Sequence, residues 1–281
     1  MMRTIAVLLT LALAAAAQEQ TPQQSTAAPP PPDNSLGALP KRLFKDERRI
    51  WTSPWKSKSY DSRSFKKYIV PFALISTVLI ATDRKTADHL PNTNDQTLWS
   101  GRVSQMGAAY TLGGFSGATY LFGRITGNDH AQETGLLALE ALAHTQVAVF
   151  AIKQATNRQR PIYSTGGTRA GFWRGGDSFP SGHSASAFAV ATVFAREYRD
   201  HLAVPIVAYS LAGAISVSRI GARRHWMSDI FAGGSLGFLL GRFTYRANHD
   251  RRLPGSKVSA VRRLVPNAAM GPWGPSLSWT F

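Results

Sequence analysis

The 281-residue chain has no cysteine, which excludes a disulfide framework, a thiolate zinc site and a cysteine nucleophile. Acidic residues are scarce. Sixteen Asp and Glu stand against 32 Lys and Arg, a formal net charge of +16, and such an excess favours phosphates, nucleic acid or an anionic membrane face without choosing among them. Strand signals are missing too: neither a hairpin dipeptide nor an alternating pattern competes with the apolar stretches, so the expected fold class is all-α. Most of those stretches fall short of the roughly 20 residues a bilayer span needs.

At the N-terminus, Arg3 precedes an apolar run from Ile5 to Ala17, with Ala15 and Ala17 in an A-x-A arrangement ahead of Gln18. The expectation is a signal peptide over 1–17, cleaved on export. Residues 18–35 carry glutamine, small residues and four consecutive prolines, a composition that cannot order itself and reads as a linker. Residues 36–67 are basic and aromatic, suited to lie against the domain or an anionic lipid surface, or to remain a solvated arm. The body spans 68–248, with apolar stretches at 69–81, 106–123, 135–152, 185–195, 202–217 and 230–240. They fit a soluble bundle or a compact membrane bundle equally, and basic residues on both sides of the first stretch leave the orientation open. Glu140 and His144, four apart, read as a structural polar contact. The tail, 249–281, reads as a mobile terminus, with an edge strand as the alternative.

Three segments carry chemistry. In "KQATNRQRP" Lys153 and Arg160 are seven residues apart, nearly two helical turns, so the two cations are expected on one face where they can grip one phosphate. In "SFPSGHSASAF" Pro180 and Ser181 open a helix. Its free amides near Ser181, Gly182 and His183 form an anion cradle, with His183 placed to donate a proton. In "SRIGARRHWMSD" Gly221 is expected as a left-handed cap, and a helix starting near His225 puts His225 and Asp229 on one face. The carboxylate then fixes the histidine tautomer and leaves the other ring nitrogen as a nucleophile, while Arg219 adds a third cation. Each segment alone also has a bland reading: a solvated basic helix end, a serine N-cap, a surface ion pair.

Together, K-x6-R-P, P-S-G-H and S-R-x5-H-x3-D occur in order with every position filled. The chain resembles the type 2 phosphatidic acid phosphatase superfamily, which includes bacterial class A acid phosphatases and vanadium haloperoxidases. The resemblance is strongest from about Glu133 to Arg242. It implies a compact multi-helix bundle hydrolysing phosphomonoesters, with lipid phosphates such as phosphatidate or prenyl pyrophosphate preferred. It further implies that Lys153, Arg160, Arg219, Ser181 and Gly182 hold the phosphate, that His225 attacks to form a phosphohistidine oriented by Asp229, and that His183 protonates the leaving alcohol.

No cofactor or metal is expected, and a metal site from His183, His225 and Asp229 is disfavoured. Vanadate would enter only if the chain were a haloperoxidase, and a soluble periplasmic acid phosphatase is the other alternative. The expected partners are a phosphorylated substrate of the lipid class and an anionic membrane surface, not nucleic acid, and the expected place is the cell envelope. The glycine-rich stretch between the first two segments reads as a loop that shapes substrate entry, with Phe172, Trp173 and Arg174 able to contact the leaving group, or as a passive connection.

Overall fold

The computed structural model describes residues 32–52, 65–91, 93–163, 171–250, 253, 267–271 and 274–278. The expected signal peptide, almost all of the 18–35 linker and positions 164–170 of the glycine-rich stretch lie outside the described residues. After a short 3-10 turn at Leu36–Ala38, the helices are α1 (Leu39–Thr52), α2 (Val70–His89), α3 (Asn94–Gln105), α4 (Ala109–Thr126), α5 (Asp129–Thr156), α6 (Gly182–Glu197), α7 (Ala203–Gly221) and α8 (Met227–Asn248). The domain is all-α, and each apolar stretch lies within or largely overlaps one of its helices. Most of the tail lies outside the described residues, and two short strands within it pair with each other. Asn267–Gly271 (β1) pairs antiparallel with Gly274–Ser278 (β2), Ala268 opposite Leu277.

α6 lies at the centre, packed against α5, α7 and α8. Its small residues, Ala185, Ala187, Ala189 and Ala191, allow close approach, and α8 answers with Gly233, Gly237 and Gly241 at four-residue spacing. A Cβ at Gly237 would lie 2.0 Å from the Ala185 carbonyl oxygen, and one at Gly233 would lie 2.4 Å from that of Ser181. The two backbones therefore touch along a small-residue seam, as helices do where neither presents bulk. At its end the seam fixes the start of α6 against the start of α8: the Ser181 amide donates to the Asp229 carbonyl at 3.0 Å. Around it Leu136, Leu137, Ile152, Val193, Leu240 and Phe243 fill the core.

α1 is not a solvated arm. It runs alongside α5, with Ile50 in the same core cluster as Ala148 and Ile152. Arg42 forms an ion pair with Glu140 at 2.6 Å, Glu47 meets His144 Nδ1 at 2.7 Å, and Asn248 Nδ2 donates to Asp46 at 2.6 Å. Glu140 and His144 are thus each paired to α1 rather than to each other. The expectation of a local i, i+4 contact gives way because α1 brings stronger partners to the same face of α5.

The opposite character appears elsewhere on the surface. Leu74 and Val78 on α2, Phe115, Phe122 and Ile125 on α4, and Ile206, Val207 and Val217 on α7 are exposed. Two described helical segments, Asp129–Tyr163 and Ala203–Gly221, are long and apolar enough to cross a membrane, the second with only 28% of its most apolar window buried.

Candidate active site

α5 stops at Thr156 because Asn157 turns left-handed, φ 43°. Lys153 sits in the last helical turn, but Arg160 lies beyond the helix. The two cations therefore do not share a helical face as the seven-residue spacing suggested; the turn brings Arg160 back toward Lys153. They converge on Asp177, whose carboxylate accepts from Arg160 Nε and Nη2 at 2.7 Å each and lies 3.7 Å from Lys153 Nζ. The Arg160 hydrogen bonds push the Asp177 carboxyl down to about 2. Two oxygens of one planar anion are thus gripped by a fork and a point charge, a pairing suited to oxyanions.

Arg219, in the last turn of α7, is buried and donates to Ser104 Oγ of α3 at 2.7 Å. α3 can approach α7 this closely because of Gly221, where a Cβ would meet Ser100 Oγ at 2.3 Å. Gly221 is thus a packing glycine rather than a left-handed cap; the positive φ, 52°, falls on Arg223. Lys153, Arg160, Arg219, Gly182, His183 and His225 all line one cavity of about 470 Å3, together with Tyr110 and Gln146. Ser181 is different. It caps α6, its buried hydroxyl engaged with the Ser184 amide and hydroxyl, and it shapes the cradle without lining the cavity.

His225 precedes α8, which starts at Met227 after Trp226 as N-cap. The expected i, i+4 helical face does not exist, and the turn folds the pair together instead. His225 Nδ1 lies 2.7 Å from the Ser178 carbonyl oxygen and 3.5 Å from Asp229 Oδ2. A carbonyl can only accept, so Nδ1 carries the hydrogen and Nε2 keeps its lone pair. Burial, opposed by Asp229, pushes the imidazole down to about 4, which keeps it unprotonated near neutrality.

Asp229 holds the turn rather than the ring alone. Its carboxylate accepts from the Trp226 amide at 2.9 Å, the Ser178 hydroxyl at 2.5 Å and Arg158 Nη1 at 2.6 Å. Arg158, fully buried, also donates to Asp83 of α2 at 2.6 Å and to Ser228 Oγ at 2.7 Å, with Phe172 4.7 Å below its guanidinium. Sequence reasoning passed over Arg158, Asp83, Ser178, Ser104 and Gln146. The available signals were an arginine at an unspecified position of the first segment and a lone acid closing the first apolar stretch. Phe172 belongs to this support and not to a substrate face; Arg174 stays at the rim, beside Arg160 and Asp177. A metal held by His183, His225 and Asp229 does not suit the donor set, because Asp229 is saturated and three cations stand around the cavity.

Residues 134–253 match the PAP2 superfamily. A 70-residue stretch is 41% identical to a lipid A 1-phosphatase of Porphyromonas gingivalis, covering 25% of this chain and 16% of that protein's length. Among solved structures, the transmembrane PAP2 type phosphatidylglycerolphosphate phosphatase of Bacillus subtilis aligns with TM-score 0.48 and 23% identity over 63% of this chain and 94% of that one. LpxE of Aquifex aeolicus aligns with TM-score 0.44 and 20% identity over 60% and 93%. The three signature segments converge on one cavity inside residues 134–253, the region that matches the PAP2 superfamily.

Proposed function

We propose that the chain is a membrane-associated, exported phosphatase that hydrolyses lipid phosphomonoesters through a phosphohistidine. The observation that carries this reading is the single cavity shared by His225, His183, Lys153, Arg160 and Arg219. Substrate phosphate displaces the Asp177 carboxylate from Arg160 and Lys153, and Arg219 and the first amides of α6 take the remaining oxygens. His225 Nε2 attacks phosphorus as the bond to the alcohol oxygen breaks; His183, held down to about 3 by burial and by Arg219 and the other cations, gains a proton when the bound phosphate offsets those cations, and gives it to that oxygen. His183 then takes a proton from water, which attacks phosphorus and frees His225 with release of phosphate. The developing charge is balanced by lysine and arginine, so the scheme needs no metal.

A lipid substrate is supported by an apolar groove of about 540 Å3 between α4, α6 and α7, lined by Leu112, Phe115, Val190, Val207, Leu211 and Ile215. It adjoins the phosphate cavity at Gly107, where a Cβ would meet Ile215 at 2.3 Å on one side and His183 Cβ at 3.5 Å on the other. An acyl or prenyl chain laid in the groove leaves its phosphate beside His225. The exposed apolar residues of α4 and α7 suit lipid contact, and the Ile5–Ala17 run supports export.

Hydrolysis of phosphatidate, a prenyl pyrophosphate and p-nitrophenyl phosphate is to be compared in detergent, beside membrane fractionation. His225→Ala is expected to abolish turnover and the acid-labile phosphoprotein trapped from labelled substrate. Near-wild-type hydrolysis by that variant sinks the nucleophile, and a kcat/KM on p-nitrophenyl phosphate equal to that on the lipids sinks the lipid preference.

A further inference from the structure

The far end of the bundle carries a second constellation that phosphate chemistry does not use. Glu133 in the first turns of α5, Glu197 at the end of α6 and His249 just after α8 bring their ligand atoms within 4.8 Å of one another. Twenty residues of continuous α5 separate Glu133 from Lys153, about 30 Å along the helix. We propose that Glu133, Glu197 and His249 form a binding site for a divalent transition-metal ion of the zinc class, which staples the ends of α5, α6 and α8.

The spacing fits an ion. His249 Nδ1 lies 3.4 Å from Glu133 Oε1 and 3.1 Å from Glu197 Oε1, against roughly 3.3 Å between neighbouring ligand atoms around a tetrahedral ion with bonds of about 2.0–2.1 Å. Both glutamates are fully buried. The Asp250 amide takes Glu133 Oε1 at 2.5 Å, and Glu133 Oε2, buried in the same place, has no partner. An unpartnered carboxylate oxygen in the interior calls for a cation or a proton. His130 Nε2 stands 3.0 Å from Glu197 Oε2, the outer contact that orients a ligating carboxylate. Carboxylate and imidazole donors without thiolate suit zinc or manganese.

The competing occupant is a proton. Burial opposes charge on His249, but hydrogen bonds to Glu133 and Glu197 overcome it and push its pKa up to about 9, so an entering ion displaces that proton.

Chelator-dialysed full-length protein in detergent is to be titrated with zinc chloride, following bound zinc by mass spectrometry and the thermal midpoint. About one zinc per chain with a rise of several degrees is expected, while Glu133→Gln and His249→Ala lose both and keep phosphatase activity. If either variant fails to fold, the wild-type stoichiometry decides alone. No zinc held after dialysis against micromolar zinc assigns the cluster to the proton and overturns the proposal, as does zinc binding that survives in the folded variants.

Discussion

His225 takes its tautomer from the Ser178 carbonyl, while Asp229 braces the turn in which the ring stands. Under the proposed mechanism this division of labour makes Asp83 of α2 part of the support of the nucleophile, because it holds the far side of Arg158. Asp83→Asn is expected to lower kcat by about tenfold to a hundredfold with little change in KM, the range seen when an outer group that orients a reacting ligand is removed. A rise in KM at constant kcat instead would place Asp83 outside this support. The acid limb of kcat/KM, corrected for the substrate's own ionisation near pH 6, is expected near pH 4, where His225 gains its proton; in the proposed mechanism the neutral form attacks, so activity falls below that value. A corrected limb at pH 6 or higher contradicts a buried, unprotonated nucleophile. The signature named His225 and Asp229 but could not show how they meet, since that depends on where α8 begins. Arg158 was hidden for a different reason: a buried arginine two residues from Arg160 of the signature looks identical in sequence to a solvated neighbour.

Among the elements, α3 and α1 were the least legible. α3 is largely polar, and its N-cap, the Thr93 hydroxyl accepting from the Gln96 amide, is a local signal without an apolar face behind it. α1 showed a basic, aromatic composition that suits several surfaces, and only its partners on α5 and α8 select one. Those partners define its energetics. Glu140 is fully buried beneath Arg42, so Arg42→Ala leaves Asn248, at 3.3 Å, as its one remaining hydrogen-bond partner among the described residues. The expected cost is about 3–5 kcal/mol in denaturant unfolding, whereas a paired change to Arg42→Met and Glu140→Met restores most of it. Equal destabilisation by both variants would show that packing of the helix, rather than its ion pair, holds α1. By contrast α6 and α8 were readable as elements from their apolar stretches, yet their glycine and alanine seam gained meaning only once the two were seen in contact.

For the whole molecule, the net charge of +16 and the exposed apolar faces of α4 and α7 point the same way. On vesicles carrying anionic lipid, hydrolysis of a lipid phosphate is expected to fall several-fold as salt rises and the Debye length shrinks from about 10 Å to 3 Å. The rate on p-nitrophenyl phosphate should change much less, and equal salt sensitivity would assign the effect to the pocket alone. The all-α class and the three converging segments could be read from residue pattern because both are local or motif-encoded. Contacts joining α1, α2 and α3 to the matched domain could not, since each links residues remote in sequence through side chains that have many equivalent surface uses. The docking of α1 also sets an order of events. Arg42 waits 98 residues for Glu140, roughly 5–20 s at ordinary rates of synthesis, and Asp46 waits 202 for Asn248, roughly 10–40 s. The earliest made of the described α-helices is therefore fastened among the last, and until then Lys41, Lys45, Arg48 and Arg49, which stay on its exposed face afterwards, keep it in water.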